Sequence, residues 1–484
     1  MLPIFFVIPI HISYLYGMIM KAIRAIALTL TTFCAATAPA QAPSDPSFEK
    51  ARTILTDAGA WRGKISLGPM KIPVVFHFSA GADGTVDCTL DSPSQGAMGI
   101  PASLTRLTAD SLTVECPAIG AVYAARIAPA TITGKLSQRG VALPLVLRPE
   151  TPLADRRPQT PRPPFPYTTL DTTFVSADGT RLAATLTLPL TPSSVRMPAV
   201  VMVTGSGPQN RDEELFDHRP FAVIADALAR KGIASMRYDD RGTGRSTGDF
   251  AAATITDFAA DARAAVAVLR TVPCIGPAGL LGHSEGGTVA LMLAADSVPD
   301  FIVSIAGMAV SGKETILRQN RHALELSGLP EPSKAAGMKL IERLFDIIVG
   351  QHRAGVSEPV DVDSLAAAMR LDVPAPVMES VRAAMRHRSA ALDAMLAVDA
   401  SEFMGRIKCP VLAINGDSDR QVDAASNIAA IRRCIPAART RILPGLNHMM
   451  QHSSTGEPAE YGEISETFAP EALHAITDFI TSLR

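Results

Sequence analysis

Ser284, Asp419 and His448 have the residue types and local settings that acyl transfer requires. Ser284 lies in Gly282-His283-Ser284-Glu285-Gly286, between an apolar run (Ala278–Leu281) and a second apolar run with helical character (Thr288–Ala295). A G-x-S-x-G pattern in that context predicts a strand that turns sharply into a helix and lifts the serine hydroxyl out of the turn. Side chains at Gly282 or Gly286 would collide with the neighbouring strand or helix, which explains the small residues. The helix, from about Glu285 to Ala295, points its positive end at the serine. The alternative is a serine that only shapes a turn.

A serine hydroxyl is a weak nucleophile at neutral pH. It needs a base to take its proton and a carboxylate to orient that base. After the strand Val411–Ile414 comes Asn415-Gly416-Asp417-Ser418-Asp419-Arg420-Gln421-Val422, and after the strand ending at Leu443 comes Pro444-Gly445-Leu446-Asn447-His448. His448 is the expected base, because it is nearer the strand end than His452. His283 should point along the elbow and away from the Ser284 hydroxyl. The acid is Asp419 or Asp417, and Asp419 is preferred. Asp417 follows Gly416 directly and suits a turn residue that bonds its own backbone. The developing oxyanion needs two backbone N–H donors. One is expected from Glu285. The other is expected from Ser206 or Gly207 in Thr204-Gly205-Ser206-Gly207-Pro208-Gln209, and the sequence does not choose between them. Two polar clusters, 210–213 and 239–246, suggest Asp–Arg pairs that brace loops, or a grip on a charged substrate end. Glu285 suits either substrate contact or an elbow anchored to an arginine.

The elements that must position these residues form an alternating pattern from Tyr167 onward. Strands are expected near 170–176, 182–188, 199–203, 234–238, 279–281, 301–305, 411–414 and 439–443, with helices at 220–231, 255–272, 285–295, 424–433 and 470–483. Asp178-Gly179 signals a hairpin. The later strands need helical crossovers and are therefore parallel. The fold class is α/β, an open and mostly parallel sheet with helices on both faces. Roughly 100 residues separate two strands that an ordinary crossover would join in far fewer. This segment, about 308–405, reads as an inserted helical lid. Its methionines (338, 369, 378, 385, 395) either line an acyl pocket or fill the lid's own core.

Upstream, residues 56–149 read as a small all-β domain, a sandwich or barrel, with strands at 64–67, 72–78, 85–90, 111–115, 121–127 and 143–147. It is expected to be either a substrate-gating or envelope-binding module or a structural appendage. Residues 41–55 are a short lead-in. Residues 150–166 (ETPLADRRPQTPRPPFP) read as a stiff proline-rich linker before the domain at 167–484. The first 40 residues have the pattern of a secretory signal peptide. Lys21 and Arg24 precede an apolar run (Ala25–Cys34) and a small-residue site at Ala38-Pro39-Ala40, with a possible true start at Met20. A membrane anchor made from the two apolar runs is the rival. A lipoprotein site at Cys34 is disfavoured by the bulky Phe33. The expectation is a periplasmic or secreted protein without stable membrane insertion after cleavage.

The net charge of −2 gives no electrostatic case for nucleic acid. Setting aside Cys34 leaves Cys88, Cys116, Cys274, Cys409 and Cys434, an odd number, so at least one is unpaired. Cys88 and Cys116 could pair or remain buried thiols. No metal site is expected. His448 and His452 have H-x-x-x-H spacing, but the glutamate of H-E-x-x-H is missing.

The motifs TGSGPQNRDE, RYDDRGTGRSTG, GHSEGG, INGDSDRQV and LPGLNHMMQ, all within the run from Tyr167 to the C-terminus, resemble the α/β-hydrolase superfamily near its serine-aminopeptidase-like branch. More narrowly, the chain is similar to bacterial secreted two-domain carboxylesterases, in which a small β-rich domain precedes the hydrolase. The resemblance implies Ser284 as nucleophile, Asp419 as acid and His448 as base. It also implies carboxylic esters of short to medium acyl chain as the usual small-molecule substrates; the serine mechanism itself needs no cofactor. Two other readings remain in play: a serine peptidase or aminopeptidase acting on amides, and a non-catalytic envelope protein that only binds ligand.

Overall fold

The structure is a computed structural model that describes residues 46–483, apart from 68–69, 82–83, 93–96, 139, 151–155 and 191–195. Residues 1–40, expected from the sequence to be a signal peptide, lie outside the described residues, Cys34 among them. No helix among the described residues is long and apolar enough to cross a membrane. The chain divides into two compact units, with the boundary between Arg156 and Arg157.

The first unit opens with helix α1 (Pro46–Ala58) and continues through β1 (Ala60–Leu67), β2 (Met70–Ala80), β3 (Val86–Ser92), β4 (Ala97–Leu107), β5 (Ser111–Cys116), β6 (Ala121–Ala128), β7 (Thr131–Gln138) and β8 (Val141–Pro149). These strands pair in chain order as an antiparallel meander. β1 then closes on β8 through Trp61↔Pro149, Arg62↔Arg148 and Gly63↔Leu147, so the choice between sandwich and barrel falls to a closed barrel. β6 shows the cause of closure: its residues alternate strictly between buried and exposed, with Ala121, Tyr123, Ala125 and Ile127 inside.

The barrel interior is a packed core around Trp61, Phe76 and Tyr123. The Tyr123 hydroxyl donates between the carbonyls of Ile132 (3.0 Å) and Leu145 (3.1 Å). The lead-in turns out to be a helix with a job: α1 buries Ala51 and Leu55 in that core, and Trp61 Nε1 donates to Leu55 O. Two strands went unread in the sequence. β4 contains Gly99 and Pro101, and β7 contains Gly134. Both residue types argue against a strand. Gly134 is needed because a Cβ there would stand 2.1 Å from Ala124 O on β6. Cys88 and Cys116 are free, and β4 runs between their strands. Cys88 faces Ala102 of β4, and Ser103 of β4 faces Glu115. Two strand spacings exceed the reach of a disulfide. Burial raises the Cys88 thiol to about 12 and the Cys116 thiol to about 11.

The second unit has the α/β-hydrolase architecture. Its strands are β9 (Tyr167–Val175), β10 (Arg181–Pro189), β11 (Met197–Val203), β12 (Ala234–Tyr238), β13 (Ile275–His283), β14 (Ile302–Ile305), β15 (Val411–Gly416) and β16 (Arg439–Leu443), in the spatial order β16-β15-β14-β13-β11-β12-β10-β9. β9 and β10 form the expected antiparallel hairpin at Asp178-Gly179, and β10 pairs antiparallel to β12. All pairings from β12 through β11 to β16 are parallel. The period-two rule divides the buried side chains of β11 between two cores. Ala199, Val201 and Val203 join helices α3 (Ile255–Leu269) and α4 (Glu285–Ala295), while Val200 and Met202 join α2 (Pro220–Arg230) and the last helix, α11 (Pro470–Thr481). After β11 the chain builds β12 on one side, then returns to place β13 on the other. The loops leaving β11 and β13 therefore diverge at a topological switch point, where such sheets hold ligands.

Between β14 and β15 lie α5 (Gly312–Glu325), α6 (Glu331–Arg353), α7 (Val362–Ala368), α8 (Ala375–Arg386) and α9 (Ala390–Ala397); α10 (Ala424–Cys434) follows β15. The inserted helices share a core of their own. Met378 and Met395 are buried in it, and Met338 and Met385 pack against it, so these four are lid core and not pocket lining. The proline-rich stretch is not a free spacer over its second half. Arg157 is 2% exposed, and its guanidinium donates to the carbonyls of Phe216, Gly462 and Ile464. Gln159 donates to Phe468 O and accepts from the Thr467 and Phe468 amides.

Candidate active site

Ser284 is the single residue between β13 and α4, with φ 53° and ψ −119°. A non-glycine side chain in that region is strained and persists only where its surroundings hold it. Its amide donates to Ile305 O on the neighbouring strand. The flanking glycines are forced by contact. A Cβ on Gly282 would lie 2.0 Å from Gly286 O, and one on Gly286 would lie 2.1 Å from Val203 O and 2.5 Å from Thr204 O. Glu285 is the first helical residue of α4, directly after Ser284, so its N–H has no partner within the helix.

The loop after β16 carries His448, and the loop after β15 carries Asp419. His448 Nδ1 donates to Asp419 Oδ2 at 2.8 Å, and both residues are buried. Asp419 Oδ1 accepts from the Gln421 and Val422 amides at 2.8 and 2.9 Å, which fixes the carboxylate behind the ring. Asp417 has another task. Its Oδ1 accepts from the Gly445 amide at 2.7 Å, tying the loop after β15 to the loop after β16, as well as from the neighbouring Ser418 hydroxyl at 3.1 Å. His452 turns outward to Glu466 and Glu471, each at 2.9 Å, and shares no ligand position with His448. No group of His, Cys, Asp and Glu among the described residues could hold a metal. The Ser284 hydroxyl is not hydrogen-bonded to His448 here. Such catalytic bonds often form only in the substrate complex.

The loop after β11 passes directly over Ser284. A Cβ on Gly205 would be 3.2 Å from Ser284 Cβ, and the next residues are Ser206 and Gly207, the latter at φ 95°. This brings both candidate oxyanion donors to the elbow. The loop is held from below by acids. Glu213 Oε1 accepts from the Gly205 amide (2.7 Å), and Asp240 accepts from Thr204 Oγ1 (2.7 Å) and the Gln209 amide (2.9 Å). Burial pushes Asp240 well above the ordinary carboxyl range. Burial likewise raises Glu285 to about 7, partly offset by a bond from the Ser206 hydroxyl. No arginine pairs with Glu285 among the described residues, so the anchored-elbow reading fails and the carboxyl faces the 204–209 loop through Ser206.

The two polar clusters brace loops. Arg211 holds Asp239 through two 2.9 Å bonds, Arg241 holds Asp261 at 2.8 and 2.6 Å, and Arg237 pairs with Asp212.

The sequence did not reveal the part played by His283. Its Nδ1 lies 2.9 Å from Glu213 Oε1, and its Nε2 donates to the backbone carbonyl of His448 at 2.9 Å. Its ring centroid is 4.8 Å from that of His448. Glu213 was visible as part of the 210–213 cluster, but only the fold shows that it lies under the elbow.

A family model described as X-Pro dipeptidyl-peptidase (S15 family) matches residues 178–448. The esterase EstD of Thermotoga maritima is 32% identical over 129 residues, which are 27% of this chain and 31% of that protein. The match thus spans less than a third of that relative's length. Among solved structures, the Pyrococcus furiosus esterase Pf2001 aligns over 65% of this chain and 91% of its own, at 14% identity and a TM-score of 0.41. Est1E of Butyrivibrio proteoclasticus with bound ferulic acid aligns over 64% of this chain and 97% of its own, at 17% identity and a TM-score of 0.38.

Proposed function

Because this chain belongs to the X-Pro dipeptidyl-peptidase (S15) family of hydrolases, we propose that it is a secreted serine hydrolase that cleaves carboxylic esters through an acyl-enzyme intermediate. The observation that carries the reading is the buried 2.8 Å bond from His448 Nδ1 to Asp419, beside an elbow that holds Ser284 at φ 53°. In the proposed reaction His448 Nε2 takes the Ser284 proton as Oγ attacks the ester carbonyl. Asp419 keeps the proton on Nδ1 and stabilises the imidazolium. The oxyanion is held by the Glu285 amide and by that of Ser206 or Gly207. His448 then protonates the departing alcohol, and water, deprotonated by the same ring, releases the acid.

The esterase relative supports esters as the substrate. The family description supports a second reading, in which the same residues cleave an amide after an X-Pro unit. Comparing nitrophenyl esters of graded acyl length with X-Pro anilides separates the two. The expected result is ester turnover that falls at least about 10³-fold in Ser284→Ala. Equal rates in the variant would remove Ser284 from the chemistry, and a preference for the anilides would make the protein a peptidase. Export is inferred from the basic, apolar and small-residue pattern of residues 20–40.

A further inference from the structure

Both ring nitrogens of His283 face oxygen acceptors. The His448 carbonyl can only accept, so Nε2 carries a proton. Glu213 Oε1, which accepts the Gly205 amide at 2.7 Å, lies 2.9 Å from Nδ1, where a second ring N–H would meet it. We propose that His283 is a permanently charged positioning residue: a buried imidazolium that ties the oxyanion loop, through Glu213, to the backbone of the base, His448.

The geometry gives the latch its purpose. Glu213 fixes Gly205, whose neighbours Ser206 and Gly207 are the candidate oxyanion donors. His283 is covalently next to Ser284 and fixes the chain at His448. One ion pair therefore sets the relative positions of nucleophile, base and oxyanion loop. A neutral imidazole has only one N–H and would drop one of the two bonds. The titratable groups facing the ring are Glu213, His448 and Asp419. The remaining wall is apolar, with Phe221, Ile305, Met449 and Phe468. Burial on its own would lower the His283 pKa, but Glu213 and the His448 carbonyl outweigh it and hold the ring above its ordinary value. The role rests on the proposed Ser284–His448–Asp419 reading; the charge state does not.

Nitrogen-15 spectra of the histidine rings in the whole protein, with His283→Gln used to assign the signal, read the charge state without any substrate. The expected result is two protonated nitrogens on His283 from pH 5.5 to 8.5. A pyridine-type nitrogen on His283 at pH 7 would overturn the proposal. Glu213→Gln keeps the shape and removes the counter-charge, so His283 should titrate within that range. The wild-type to E213Q ratio of kcat should then rise from near one at pH 5.5 to about tenfold or more at pH 8.5, with KM changed by less than about twofold. A ratio that does not vary with pH would also overturn it. If E213Q does not fold, the wild-type spectrum alone decides. Failure of the esterase reading would leave turnover unaffected by Ser284→Ala and the nitrogen spectrum as expected, so the two failures are distinct.

Discussion

Glu285 is where the electrostatics of the site are least comfortable. The residue is 8% exposed, and its carboxyl has no cation partner among the described residues and sits beside the loop expected to hold an oxyanion. Burial raises its pKa to about 7, so the folded protein keeps this proton while the unfolded chain loses it near 4.5. Between those values the native state binds more protons, and stability falls as pH rises. The full cost, reached above pH 7, is about 3 kcal/mol. Glu285→Gln should therefore gain thermal midpoint relative to wild type at pH 8 and little at pH 5. An ionised Glu285 also opposes a second negative charge nearby. The alkaline limb of kcat near pH 7 should be present in wild type and absent in the variant, and a limb retained by E285Q would assign it to another group. That Ser284, Asp419 and His448 each follow a strand end was legible in the chain, because the pattern around each is written locally. The contacts of Glu213, Asp240 and His283 were not, since they include partners as far as 165 positions away.

At the level of elements, the helices that alternate with the hydrolase strands were readable, with α3 ending three residues and α11 two residues short of the expected ends. α4 matches its expected span of Glu285 to Ala295, and α2 and α10 differ by one residue. Their apolar periodicity and flanking loops are written locally. β4 and β7 were hidden because glycine and proline weaken the strand signal, and barrel closure overrides that local preference. Glycine in this protein also separates two physical cases. At Gly286 an added methyl would strike the backbone carbonyls that lead into the oxyanion loop. Gly286→Ala should cost about 3 kcal/mol by overpacking and lower kcat beyond what its folded fraction explains. At Gly350, inside α6, an added methyl meets nothing within 4 Å. Gly350→Ala should stabilise the protein by about 0.5–1 kcal/mol through helix propensity, with kcat unchanged. Denaturant midpoints and kcat measured on the two variants test both expectations. A neutral Gly286→Ala would show that α4 can slide away from β11.

At the scale of the whole molecule, the change of period at Tyr167 marks where the hydrolase strands start, but the compact unit begins ten residues earlier. The proline content of 150–166 signals a spacer, and composition cannot show that one arginine in it is buried. Arg157 satisfies three backbone carbonyls in the 216 and 462–464 segments, and Gln159 holds the chain at 467–468. The 462–468 segment leads into α11, whose Ala472, Ile476 and Ile480 fill one face of the sheet. Removing a charged donor from buried carbonyls forfeits bonds worth about 1.5–3 kcal/mol each and leaves the acceptors unpaired. A chain beginning at residue 156 should therefore unfold in urea at a clearly higher midpoint than one beginning at 167. Arg157→Ala in the full-length chain should lose about 3 kcal/mol, with slopes unchanged if the same surface is exposed on unfolding. Equal midpoints for the two truncated chains would mean that water replaces the guanidinium without cost, and that the proline-rich stretch is a spacer along its whole length.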